Sequence, residues 1–238
     1  MADTITWGGT VSNTLGIVVE RPKALGRPRR KMKTYDIPGG NSFVEMEDAW
    51  EDYTQTYEIW AGDDSYGDAA DFFADITTWL FKDGFNELED SEEPLVYREA
   101  YFAGPLDVAN LWTMYGRAKI NFICHPQRYL KTGKTAITKS SSGTSITNPT
   151  AYASRPTVKV TGSGTGTFTI GGTTVSLSGI QSGMIVDSKT MTVTDGLGAN
   201  LNSKMALGNF PSIPSGTSTV SFTGGITKLE ITPHWYYI

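Results

Sequence analysis

The segment Thr167-Phe168-Thr169-Ile170-Gly171-Gly172-Thr173-Thr174-Val175-Ser176-Leu177 decides the fold class of the second half of the chain. β-Branched and aromatic residues favour strands on both sides of the glycine pair. Two glycines between such runs are typical of a two-residue hairpin turn, because both positions of that turn need a positive φ. The segment therefore predicts a β-hairpin.

The same half of the chain contains other strand signals and no helical pattern. The glycine-rich segment 162–166 is expected to form a tight turn after a strand at 157–160. Further short runs predict strands at 184–187, 190–194, 218–223 and 226–231. Short strands separated by glycine-rich turns predict an all-β sandwich or barrel.

The first half of the chain combines strands with one helix. Alternating runs predict strands at 15–19, 53–60, 95–102 and 117–125, the last of which ends at Pro126. Phe72, Phe73, Ile76, Trp79 and Leu80 repeat at helical spacing. A helix is therefore expected near residues 66–82, with Asp63, Asp64 or Ser65 as its N-terminal cap and Gly84 at its end.

The composition changes near residue 135, where a Ser/Thr/Gly-rich stretch begins. We therefore predict two domains in this 238-residue chain, 1–135 with β-strands and one helix, and 136–238 with strands alone. The predicted fold class is mainly β.

The net charge of −5 conceals a strong segregation of charge along the chain. Residues 1–33 carry +5, residues 34–100 carry −17 and residues 101–238 carry +7. Such segregation predicts an acidic surface together with basic loops that pair with it, within one subunit or between subunits.

The basic charges near the start form a compact run with proline and glycine, which favours an extended loop or hairpin arm. This basic arm consists of Arg21, Lys23, Arg27, Arg29, Arg30, Lys31 and Lys33. The candidate acidic counterpart, the acidic cluster, consists of Glu45, Glu47, Asp48, Glu51 and Asp52. Docking of the arm on the acidic face of a neighbouring subunit explains both features. A plain solvated loop and a nucleic-acid site are the alternatives, although the arm lacks aromatic residues for base stacking.

No pattern of residues predicts an enzyme, a metal site or a cofactor. Cys124, the single cysteine, shares a strand face with Ala118, Ile120 and Phe122, which predicts a buried structural thiol. His125 and His234 each adjoin a proline, and neither lies in a cluster with metal-ligand spacing. The dense carboxylates are typical of a solvated surface. No apolar run reaches the roughly 20 residues that span a bilayer, and the N-terminus does not have the pattern of a signal peptide, so synthesis in the cytoplasm is expected.

The order of several short motifs resembles the distal tail protein family of long-tailed siphophages, over nearly the whole chain. In the first domain these motifs are Trp7-Gly8-Gly9, Leu15-Gly16-Ile17, Ile37-Pro38-Gly39-Gly40, Trp79-Leu80, Tyr97–Phe102 and Phe122–Pro126. In the second they are Asn148-Pro149, Arg155–Val158, Ile185-Val186-Asp187, Phe210, Pro214-Ser215-Gly216 and Ile231–Trp235. The family's usual Gly-Arg after Ile-Pro is replaced by Gly39-Gly40.

The resemblance implies a virion protein of the phage tail tip. It implies an N-terminal domain that forms a ring, commonly a hexamer, with DNA as passing cargo, and a galectin-like C-terminal β-sandwich outside it. The implied partners are further copies of the chain, the tail tube protein, and a tail-associated lysin, fibre or receptor-binding protein. The alternative function is a carbohydrate-binding host-adhesion module that uses the C-terminal sandwich.

Overall fold

The computed structural model describes residues 3–20, 25–62, 69–106, 108–112, 115–181, 183–206 and 208–238. The chain divides into two compact units, one of residues up to 128 together with Ile238, the other of residues 129–237. The architecture is mainly β, as the sequence predicts.

The first unit is built on strands and one helix. Its strands are β1 (Ile5–Trp7), β2 (Thr10–Val11), β3 (Ile17–Val19), β4 (Arg30–Tyr35), β5 (Phe43–Trp50), β6 (Tyr53–Gly62), β7 (Asn86–Asp90), β8 (Val96–Phe102), β9 (Val108–Trp112) and β10 (Tyr115–Leu130). The main sheet has the order β2-β1-β7-β8-β10-β6-β3, and β9 also pairs with β10. An isolated bridge between Asp3 and Val19 joins the segment before β1 to the edge strand β3, so the sheet curls around its core.

Helix α1 (Ala69–Leu80) packs on this sheet. Ile76, Trp79 and Leu80 are buried in the core of the unit, and the indole Nε1 of Trp7 donates a hydrogen bond to the carbonyl of Leu80 at 3.2 Å. The helix ends at Leu80, four residues before Gly84. The predicted capping residues Asp63, Asp64 and Ser65 lie outside the described residues. No helix within the described residues is long and apolar enough to span a bilayer.

Strand β10 is longer than the alternation predicts. Ala118, Ile120, Phe122 and Cys124 are buried on one face, as expected, but the strand continues through Pro126 to Leu130. The pairing of β10 with β6 ends at Cys124 opposite Tyr53. Pro126 therefore removes no hydrogen bond from that ladder, and the prediction that it ends the strand was wrong.

The second unit contains strands β11 (Ile137–Lys139), β12 (Thr144–Asn148), β13 (Thr157–Ile170), β14 (Thr173–Ile180), β15 (Met184–Asp187), β16 (Thr192–Thr194), β17 (Gly216–Thr232) and β18 (Tyr236–Tyr237). Its sheet has the order β11-β17-β13-β15-β16, with β12 on β17 and β14 on β13. Residues from both halves of the long strands β13 and β17 enter one hydrophobic core, so the sheet bends around that core. The predicted hairpin is confirmed: β13 pairs with β14 around Gly171 (φ 59°) and Gly172 (φ 84°).

Glycines bend the two long strands where the sequence predicts breaks. The segment 162–166 lies within β13, and its pairing with β17 shifts register twice there. A Cβ on Gly162 would collide with the carbonyl oxygen of Gly225, and one on Gly225 would collide with that of Ser163. The predicted tight turn at 162–166 was wrong, because facing glycines let the two backbones cross closely as bulged, continuous strands. For the same reason the strands predicted at 218–223 and 226–231 are one strand.

Candidate assembly site

The basic arm and the acidic cluster meet in one β-hairpin. Strands β4 and β5 pair antiparallel, with Met32 opposite Met46, Lys33 opposite Glu45 and Thr34 opposite Val44. Every residue of β4 is exposed, and this pair of strands forms a separate two-stranded sheet. The Pro38-Gly39-Gly40 segment that joins the strands is also exposed, with Gly39 at φ 78°.

The two faces of this β4–β5 hairpin differ in chemistry. Because residues directly opposite share a face, Met32, Thr34, Val44 and Met46 lie together. The exposed fractions are 41% for Met32, 46% for Val44 and 59% for Met46. This face of the hairpin therefore exposes neighbouring apolar side chains to solvent.

The opposite face of the hairpin is polar and internally paired. Lys33 Nζ lies 2.8 Å from Glu47 Oε1, and the Tyr35 hydroxyl donates to Glu45 Oε2 at 3.0 Å. The hydrogen bond from Lys33 and its positive charge lower the pKa of the Glu47 carboxyl. Part of the segregated charge is thus neutralised within one subunit.

The other predicted site residues have varied surroundings. Arg30 Nε donates to the Glu47 carbonyl at 3.3 Å, and Asp52 Oδ1 lies 3.0 Å from His125 Nδ1. Among the described residues, Arg29, Lys31 and Glu51 form no ion pair and are exposed. Arg21 and Lys23 lie outside the described residues, as does the side chain of Asp48.

The base of the hairpin is fixed to the first unit by the Glu93 cluster, in which one carboxylate meets three arginines. Glu93 Oε1 lies 3.1 Å from Arg27 Nη2 and 2.9 Å from Arg128 Nη1, and Glu93 Oε2 contacts Arg98. Nearby, the Gln55 side-chain carbonyl accepts the Gly26 N–H at 2.8 Å. The hairpin therefore starts from an anchored segment.

Arg98 is the buried member of the Glu93 cluster. Its side chain has no exposed area, and its Nε donates to the Tyr53 hydroxyl at 2.9 Å. Burial lowers the pKa of Arg98, but interactions with Tyr53, Tyr57 and Glu93 outweigh it and raise the pKa overall. Burial also raises the pKa of Tyr53, and Arg98 partly offsets that shift.

Sequence reasoning missed Glu93 and Arg98, although a signal was present. Arg98 alternates in phase with Val96, Ala100 and Phe102 on β8, all of which are buried. A charged residue at an inward strand position requires a partner of opposite charge. The pair Glu92-Glu93, which precedes β8, supplies candidates for that partner.

The residues considered for catalysis have structural surroundings. Burial raises the pKa of the Cys124 thiol to about 12. His125 stacks on Phe85 with ring centroids 3.8 Å apart, and His234 Nε2 lies 3.0 Å from Thr157 Oγ1. In the part of the chain that the structure describes, no group of three His, Cys, Asp or Glu residues could hold a metal ion.

Solved structures of phage tail proteins share this fold. Over 100% of both chains, the structure is similar to SPP1 Dit, described as a paradigm of the hub adsorption apparatus in phages that infect Gram-positive bacteria, with a TM-score of 0.73 and 13% identity. It is also similar to a chain of the phage P2 baseplate in its activated conformation with Ca (TM-score 0.57, 11% identity, 97% of this chain and 98% of that one). The baseplate with Sr gives a TM-score of 0.58 at 12% identity over 97% and 96%. No protein-family model matches the sequence, and no curated protein matches it.

Proposed function

We propose that this chain, which has the fold of a phage Dit hub protein, is a structural subunit of a phage tail tip. In this proposal several copies, six by the family resemblance, form a ring through the first unit. The ring joins the tail tube to the lysin, fibre or receptor-binding proteins and lets DNA pass. The second unit is the outer, galectin-like domain. The similarity over the whole chain to hub and baseplate proteins supports this role.

The observation that carries the proposal is the exposed β4–β5 hairpin. A closed ring needs two different and complementary patches on each subunit. The apolar face of the hairpin, with Arg29 and Lys31 at its side, supplies one patch. Carboxylates of the acidic cluster on the neighbouring subunit, with Glu51 the clearest candidate, are the proposed counterpart of the two cations.

The size of the apolar face sets how much the hairpin contributes. Met32, Val44 and Met46 are each roughly half exposed. Burying the remainder would contribute about 1 kcal/mol for each side chain. About 3 kcal/mol is less than association costs, so other surfaces of the first unit must share the contact.

Two sets of substitutions test the proposal. Arg29→Glu with Lys31→Glu reverses the two cations assigned to the contact, and Met32→Ser with Met46→Ser removes the apolar face of the hairpin. Sedimentation velocity, at a concentration where the unaltered chain is a ring, should show each pair shifting the chain toward monomer. The matched control, Lys139→Glu with Lys204→Glu, makes the same charge change on the second unit and should leave the ring intact. Unchanged sedimentation of both hairpin variants would refute the role of the hairpin.

A further inference from the structure

A cleft of about 410 Å³ lies on the second unit, between the turn after β15 and the segment before β17. Arg155, Ser188 and Met191 line it, together with Asn209, Phe210 and Ser212. Its volume is within the range of small-molecule sites, which are mainly apolar with a few placed polar groups. All of these residues belong to one compact unit.

The turn that forms one wall of the cleft is held in place by hydrogen bonds. Asp187 Oδ1 accepts the backbone N–H groups of Lys189 at 2.7 Å and Thr190 at 3.3 Å. Met191, which closes the turn, has φ 55°, and 58% of its surface is exposed. Its backbone is thus held in a region that non-glycine residues rarely adopt, and such strain is concentrated at binding sites.

Two residues that line this cleft, Ser188 and Arg155, carry polar groups without partners in the described part of the chain. Ser188 is 3% exposed, and its Oγ has no hydrogen-bond partner among the described residues. In the same part of the chain Arg155 forms no ion pair and is exposed. An exposed guanidinium without an ion-pair partner can donate two parallel hydrogen bonds to a carboxylate or phosphate. A buried hydroxyl without a partner is stabilised by a ligand that forms a hydrogen bond with it.

Aromatic side chains lie beside Arg155. Tyr152 and Tyr236 are stacked, with ring centroids 5.7 Å apart and 21° between the planes. Burial raises the pKa of Tyr236, and the positive charge of Arg155 offsets part of that shift. Lys189 Nζ lies over the ring of Tyr129, 5.3 Å from its centroid, and Lys189 is not among the residues that line the cleft, so Arg155 is the cation of the lining.

We infer that this cleft binds a saccharide that carries an acidic group. Arg155 pairs with the carboxylate or phosphate, Ser188 and Asn209 bond to hydroxyls, and Phe210 with Met191 covers the apolar face of the sugar ring. Several neutral polar groups beside one cation suit a polyol with a single charge better than an acidic peptide. The cleft belongs to the second unit and the hairpin to the first, and the inference does not depend on the proposed ring.

Titration calorimetry on the full chain tests the inference with glucuronate, glucose 6-phosphate, glucose and inorganic phosphate. A Kd of about 1 mM is expected for one or both acidic sugars, with much weaker binding of glucose and of phosphate alone. Arg155→Gln should weaken acidic-sugar binding about tenfold or more, because a charge-assisted hydrogen-bonded pair is lost. Ser188→Ala should weaken it by a smaller factor, and the control Lys159→Gln should have no effect.

Glucuronate and glucose 6-phosphate both carry the acidic group that the inference requires. Their relative affinity shows whether the natural ligand of the cleft is a uronate or a sugar phosphate. Equal binding of glucose, equal binding of free phosphate, or binding only of a Glu-rich peptide would overturn the inference. Equal effects of Arg155→Gln and Lys159→Gln would also overturn it. Arg155→Gln should leave the oligomeric mass unchanged, so failure of the cleft and failure of the ring are distinguishable.

Discussion

Replacing Glu93 by Gln should destabilise the first unit strongly. Among the described residues, Glu93 is the one carboxylate that contacts Arg27, Arg98 and Arg128 together, and Arg98 has no exposed side-chain area. Without the carboxylate, three positive charges converge and one of them cannot reach water. Leaving a buried charge uncompensated costs about 3–5 kcal/mol.

The amide that Glu93→Gln introduces can still accept a hydrogen bond, so we expect the low end of that range, about 3 kcal/mol. For a unit of this size the loss corresponds to a decrease in Tm of about 10 °C. Arg98→Met removes the buried charge instead, and leaves Glu93 paired with two partly exposed arginines. Its cost should therefore be smaller, and the double variant should recover most of the loss caused by Glu93→Gln.

Tryptophan fluorescence during urea unfolding measures this effect, because five of the six tryptophans belong to the first unit: Trp7, Trp50, Trp60, Trp79 and Trp112. Glu92→Gln is the matched control, since it makes the same charge change one position away on an exposed side chain. It should change the free energy of unfolding by less than about 0.5 kcal/mol. Equal effects of Glu92→Gln and Glu93→Gln would refute the assigned role of the carboxylate.

Three further predictions concern two residues, Cys124 in the first unit and Gly225 in the second. Because burial raises the pKa of Cys124 to about 12, the thiol of the folded chain should resist a disulfide reagent near pH 8 and react only as fast as the chain unfolds. Rapid reaction of the folded chain with the reagent would contradict the burial of Cys124. The thiol ionises near pH 8.5 in the unfolded chain but only near pH 12 in the folded one. The contribution of Cys124 to the free energy of unfolding should therefore be lost as the pH rises from about 8.5 toward 12, because ionisation then favours the unfolded state. Alkaline unfolding curves of the unaltered chain and of Cys124→Ala measure this loss. Gly225→Ala should cost the second unit about 2 kcal/mol or more, because its Cβ would collide with the Ser163 carbonyl oxygen. In the control Gly196→Ala, the added Cβ meets no atom closer than 3.8 Å, so the Tm should hardly change. Equal Tm values for Gly225→Ala and Gly196→Ala would contradict the close crossing of β13 and β17.

Period-two patterns predicted strands and buried strand faces that the local residues determine. The hairpin at Gly171-Gly172 and the buried face that includes Phe122 and Cys124 needed only alternation and turn chemistry. The helical spacing of Ile76, Trp79 and Leu80 likewise predicted the face of α1 that packs in the core. Such features depend on residues that are neighbours in the sequence, so a single sequence is sufficient to predict them.

Features that depend on distant partners were not predicted. Gly162 and Gly166 look like a turn until Gly224 and Gly225 are seen opposite them. Arg98 looks like an exposed strand residue until Glu93 and Tyr53 are seen around it. The pairing of Lys33 with Glu47 depends on a hairpin that joins the most basic and the most acidic stretches, and charge alone left pairing within or between subunits open.

The solution mass of the unaltered chain tests the proposed ring most directly. Light scattering coupled to size exclusion should give about six times the chain mass of 25.9 kDa at low salt. At high salt the ring should lose mass, because screening weakens contacts made by Arg29 and Lys31. A mass of one chain at both salt concentrations would contradict a ring that assembles through the hairpin.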